Sequence, residues 1–173
     1  MFKSTRHALQ FTFRTLETPI VKMSSINNMR SSKSGSGGNS DMTPHDRHAQ
    51  AAMIMAMVER VVDVNGLAYL KAYYGKELFG GEYVREVMEV LFRLVAAGLP
   101  TGITQRRAVE RMIEAYFGKD YGMVSLRTDL KCNNRRYYEI KEYVANTMDQ
   151  VGRRAVDEAG RAIEAAGLID VEV

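Results

Sequence analysis

The chain has 173 residues, 46% hydrophobic and 26% charged, a balance that suits a folded domain and excludes wholesale disorder. A single cysteine, Cys132, excludes an intrachain disulfide and any multi-cysteine zinc site, and leaves a reducing, cytoplasmic setting as the default. The net charge of +3 is modest, so affinity for a polyanion has to come from a local patch.

The first stretch, MFKSTRHALQFTFRTLETPI, is basic, bears Ser and Thr, and is poor in acids. Mitochondrial presequences have this composition, and Glu17 departs from it. No run of 18 apolar residues occurs anywhere, so no membrane span is predicted. Phe2, Leu9, Phe11, Phe13, Leu16 and Ile20 are too few to build a core, so this arm orders only against the body or a partner. SSINNMRSSKSGSGGNSD (24–41) then reads as a flexible linker. The predicted organisation is a basic, flexible N-terminal arm and linker over 1–41 and a helical domain over 42–173. Residues 1–47 carry seven Lys/Arg against three acids, which leaves 17 basic and 18 acidic residues for the rest.

The body opens at Thr43, a capping residue followed by Pro44 in the first turn and Asp46 where an acid complements the helix dipole. AQAAMIMAMVERVV is helical, and Asn65-Gly66 is read as its stop. LAYLKAYYG is a short helix ending at Gly75. His45 and His48 share a helix face as metal ligands can, but no third ligand stands nearby. No metal and no cofactor is expected.

Residues 82–98 give a clear helical period, with Val84, Val87, Met88, Leu91, Leu94 and Val95 at three- and four-residue steps before Gly98 and Pro100. TQRRAVERMIEAYFG (104–118) is amphipathic, with Val109, Met112, Ile113, Tyr116 and Phe117 inward. Gly118 and Gly122 bracket a tight connection. A short helix, SLRTDL, is capped by Ser125, and a long helical run from about Asn134 to Ala166 follows, with Gly152 and Gly160 as candidate interruptions. The fold class is all-α: a compact domain of six or seven helices.

Residues 104–150 have the lengths of a helix-turn-helix, whose second helix lies in the major groove with its first residues toward base edges. In NNRRYYEIKEY the stripe Tyr137, Ile140, Val144, Met148 and Val151 should be buried. Asn134, Arg135, Arg136, Tyr138, Glu139 and Glu142 then face solvent or a partner. Two guanidiniums in a first turn oppose the macrodipole at about 0.3–1 kcal/mol. An Arg–guanine pair gives roughly 1–3 kcal/mol of discrimination. The same residues also suit an ordinary amphipathic helix with a solvated outer face. Tyr138 can donate to a phosphate, whereas Tyr137 reads as a core aromatic.

SLRTDLKCNNRRYYEIKEYV resembles the short-helix, turn, recognition-helix pattern of phage helix-turn-helix regulators. Together with HAQAAMIMAMVERVV, STRHALQFTF and RAIEAAGLID, it resembles phage antitermination proteins of the Q type. Arg127 and Lys131 stand about where such units carry a small residue and a turn glycine. The single Cys132 leaves only a zinc-free branch open. The resemblance implies a protein that binds double-stranded DNA near a late promoter and loads onto RNA polymerase to allow terminator read-through in a bacterial host. It implies DNA contacts at Asn134, Arg135, Arg136, Tyr138 and Lys141, with Arg127 and Lys131 on flanking phosphates. The aromatic arm would be a polymerase-contact segment.

Two other readings stay open. One is an operator-binding repressor or activator, which as a homodimer would present two recognition helices about one DNA turn apart. The other is a helical interaction protein with no nucleic-acid role, compatible with organelle import. Nothing points to an enzyme: GSGG lacks the Lys-Ser/Thr pair of a phosphate loop, and no serine has a histidine partner by motif.

Overall fold

A computed structural model describes residues 1–17, 42–75, 82–99 and 105–169. Among them run seven helices and no strand: α1 Thr5–Glu17, α2 Pro44–Val61, α3 Val64–Tyr74, α4 Glu82–Ala96, α5 Arg106–Tyr116, α6 Met123–Leu130 and α7 Asn134–Ala165. The chain is therefore an all-α domain. The linker expected over 24–41 lies outside the described residues.

α7 is the organiser. It lies against α1, α2, α3, α5 and α6, while α4 is wedged between α3 and α5. Its first half buries Tyr137, Ile140, Val144 and Met148 of the expected stripe, while Val151 is only half-buried. Its second half buries small residues instead, Gly152, Ala155, Ala159 and Gly160, before Ile163. The run is not divided at Gly152 or Gly160, contrary to the sequence reading. A glycine inside a helix costs about 1 kcal/mol relative to alanine, and close approach accounts for both. A Cβ on Gly152 would sit 2.3 Å from Cζ of Tyr69, whose ring lies across α7, and one on Gly160 would meet Thr5 of α1.

α2 begins as expected. The Thr43 hydroxyl accepts from the Asp46 amide at 3.2 Å, and the Asp46 carboxylate accepts from the Thr43 amide at 3.1 Å. The Thr43 hydroxyl also donates to the Asp46 carboxylate at 2.6 Å, and this bond, then the Thr43 amide's, holds the Asp46 carboxyl below the usual aspartate range. The end of α2 differs from the sequence reading. α2 stops at Val61, and Asp63 caps α3 by accepting from the Gly66 amide at 2.7 Å. Asn65-Gly66, read as a stop, lies in the first turn of the next helix. α6 likewise starts two residues earlier than expected, at Met123, so Ser125 sits inside it and caps nothing.

The N-terminal segment is part of this core. α1 buries Ala8, Leu9, Thr12 and Phe13 against α2, α3 and α7, and the Thr12 hydroxyl is satisfied by the Ala8 carbonyl at 2.8 Å. Phe2 is buried too, in a parallel bridge to Ile169, its amide donating to the Leu168 carbonyl at 2.8 Å. The arm thus orders against the body. Its rings Phe2 and Phe13 are buried in the core and Phe11 packs against it, so cleavage as a presequence would strip them from it. No helix among the described residues is long and apolar enough to cross a membrane.

Candidate nucleic-acid interface

The site forms where α5, α6 and α7 meet. α6 ends in Lys131, whose backbone takes the left-handed conformation (φ 49°, ψ 43°), the geometry that usually selects glycine. Lys131 thus occupies the turn position where a glycine is customary and adopts the glycine-like shape. The chain turns through Cys132 and Asn133. Asn133 caps α7, its side-chain oxygen accepting from the Arg136 amide at 2.8 Å. A short helix, a three-residue turn and a long helix follow one another. Leu126 and Leu130 of α6 and Tyr137 of α7 are buried in the shared core.

The seven residues singled out from sequence lie on this unit, but not on one face. Arg135 points outermost, with 89% of its side chain exposed, and its Nε donates to Glu139 at 3.1 Å. Arg136 is 39% exposed on one flank and reaches the other Glu139 oxygen at 3.5 Å. One carboxylate therefore serves two guanidiniums. Exposed pairs of this kind are worth about 0–1 kcal/mol, so Glu139 neither covers nor immobilises them.

Arg127 donates to the Asn134 side-chain oxygen, tying α6 to the first turn of α7. Tyr138, 55% exposed, lies on the opposite flank from Arg136, with its hydroxyl 3.4 Å from Sδ of Met123. Lys141 is on that flank too and lines a hollow between α5 and α7 with Tyr121, Leu126 and Tyr137. It faces away from Arg136. Burial pushes the Cys132 thiol up, while Arg127 and Arg136 nearby pull the other way.

Sequence reasoning missed the start of α5. Arg106 and Arg107 repeat the signal used for α7, two arginines in a first turn without acids. Arg106 is held by Glu110 at 2.7 Å and by Glu89 at 2.5 Å, which keeps the Glu89 carboxyl below its ordinary range. Arg111 pairs with Asp129 of α6 and stacks 4.4 Å over the Tyr121 ring, joining the start of α5 to the end of α6. Arg107 lines the adjoining hollow beside Arg111 and Asp129. Among the described residues Arg107, Arg127 and Lys131 have no carboxylate within ion-pair distance, so this end of the unit carries surplus positive charge. No cluster of three or more His, Cys, Asp or Glu among the described residues is placed to hold a metal ion.

No family model matches the sequence, and no curated protein matches it.

Proposed function

We propose that this chain is a DNA-binding transcription regulator in which α5, α6 and α7 act as a helix-turn-helix and the start of α7 enters the major groove. The observation that carries the reading is Arg135: an almost fully exposed guanidinium in a capped first turn that holds no acid, beside Arg107, Arg127 and Lys131. Arg135 and Arg136 read base edges or phosphates, Asn134 and Tyr138 flank them, and Arg107, Arg127 and Lys131 hold the backbone on either side. Exchange of the shared Glu139 pair for a phosphate or guanine is favourable, because a charge-assisted, bidentate contact exceeds an exposed ion pair. Lys141 belongs to a different face and is a secondary contact.

The likeness to Q-type antiterminators extends the proposal to RNA polymerase and terminator read-through. Transcription past a terminator with and without the protein separates that action from simple operator binding.

The test of DNA binding is a low-salt gel shift with duplex DNA. Arg135→Ala together with Arg136→Ala weakens binding by about tenfold or more, given roughly 1–3 kcal/mol per lost guanidinium contact. Far-ultraviolet circular dichroism of the double variant stays that of the parent. Unchanged affinity removes the regulator reading. It would leave the interaction-protein reading, which the shared Glu139 pair favours because any solvated helix face closes its charges in that way.

A further inference from the structure

A second surface with arginines, acids and aromatic rings lies far from the start of α7. Between α1, α3, α5 and the middle of α7 opens a groove of about 570 Å³, within the size range of ligand clefts. Tyr69, Tyr73, Tyr74 and Tyr116 wall it. Tyr69 is held flat over Gly152, and its ring stacks on Tyr73 at 5.7 Å with planes 11° apart. Tyr116 donates to Asp149 at 2.5 Å, and burial, then this acceptor, drives its hydroxyl far above the usual phenol range. Tyr69 and Tyr116 are thus held, while Tyr73 remains 58% exposed at the mouth.

Arg6 of α1 and Arg153 of α7 line the same groove. Neither has a carboxylate within ion-pair distance among the described residues, and Arg153 spends only Nε, on the Asp149 carbonyl at 3.3 Å. The surface continues along α7 past Gln150 to Arg161, which also uses Nε on a backbone carbonyl, that of Asp157, at 3.4 Å. Asp157 lies between the arginines with its carboxylate in no ion pair among the described residues. Asp149 lines the groove too, its carboxylate taken up by Tyr116. An exposed ring on an aromatic base, guanidiniums whose terminal nitrogens make no hydrogen bond among the described residues, and the remaining acid, Asp157, match the base face, the phosphates and the exocyclic amino group of a nucleotide. Bases stack on aromatic rings, arginines take phosphates, and a carboxylate accepts from the exocyclic amino group of cytosine or adenine.

We propose that this groove binds single-stranded nucleic acid, with an amino-bearing base stacked on Tyr73 and hydrogen-bonded to Asp157, and the backbone running over Arg6 and Arg153 toward Arg161. A strand fits better than a free nucleotide. Arg153 and Arg161 are eight residues apart, about 12 Å along the helix axis, on one continuous surface that suits successive phosphates of a strand. The site is independent of the duplex reading: Arg136 lies 17 residues before Arg153, about 25 Å away along α7.

The experiment measures fluorescence anisotropy of the full chain with labelled twelve-nucleotide strands of cytosine, adenine or thymine. Cytosine and adenine strands bind more tightly than thymine. Tyr73→Ala lowers their affinity by about tenfold, the loss expected for one stacked base. Arg153→Ala weakens binding and reduces its salt dependence by about 0.7 in log–log slope. Arg135→Ala with Arg136→Ala leaves the preference for cytosine over thymine strands as in the parent, whatever it does to duplex binding. The proposal is overturned if Tyr73→Ala and Arg153→Ala both bind like the parent, if thymine strands bind as well as cytosine, or if cytidine monophosphate alone competes as effectively as the strand.

Discussion

The two halves of α7 solve opposite problems with one continuous helix. The first half buries bulky side chains, Tyr137, Ile140, Val144 and Met148, which hold α5 and α6 at a distance and leave the Lys141-lined hollow between α5 and α7. Its outer face is free to carry charge. The second half buries Gly152, Ala155, Ala159 and Gly160, so α1 and α3 come close enough for the Tyr69 ring and Thr5 to touch the helix itself. Size of the buried residue, more than hydrophobicity, decides which half tolerates change.

That contrast sets the order of expected effects. The largest is Leu9→Ala: Leu9 is fully buried in the helix that lies on the small-residue half, and truncation costs about 2–5 kcal/mol. Urea unfolding measures it, and a midpoint equal to the parent's would remove α1 from the core. Next is Gly152→Ala. Its gain in helix propensity is about 1 kcal/mol. The added methyl must displace a ring that is only 7% exposed, at about 1–3 kcal/mol of overpacking. The net is destabilising, and a stabilised variant would mean that Tyr69 does not lie over α7 as described.

The smallest effect belongs to the start of α7 and has the opposite sign. Lys131→Gly relieves a left-handed strain of about 1–2 kcal/mol, less the 0.4–1 kcal/mol that glycine loses through its freer unfolded chain. Thermal unfolding therefore shifts upward. On the proposed duplex reading, affinity for duplex DNA falls at the same time, because a phosphate contact is lost. A variant that gains stability and keeps full affinity would take Lys131 out of the interface.

Much of this was readable from residue order. The capping box at Thr43 and Asp46, the Asn133–Asn134 start of α7 and the buried stripe from Tyr137 to Met148 follow from capping chemistry and helical period. The α2–α3 boundary was not, because Asn65-Gly66 is a stronger local stop signal than Val62-Asp63. The aspartate's capping bond and the close contact of Gly66 with Ala155 reveal the boundary only in three dimensions. The arm was legible only as basic and partly apolar, not as a helix, and its seat in the core depends on contacts with α2, α3 and, more than a hundred positions on, α7. At the interface, the outward set of α7 could be drawn on a helical wheel. The separation of Lys141 from Arg136 depends on where α5 and α6 dock. Arg107 was overlooked although it carries the same first-turn signal.

The bridge between Phe2 and Ile169 has a consequence for how the protein is made. At about 5–20 residues per second, ribosomal synthesis separates these two partners by roughly 8–30 seconds. During that interval the nascent first helix can find α2, but Phe2 and Thr5 have no seat. Phe2 is therefore made well before the partner that locks it. The waiting chain exposes the apolar side of Phe2 until Ile169 clears the exit tunnel.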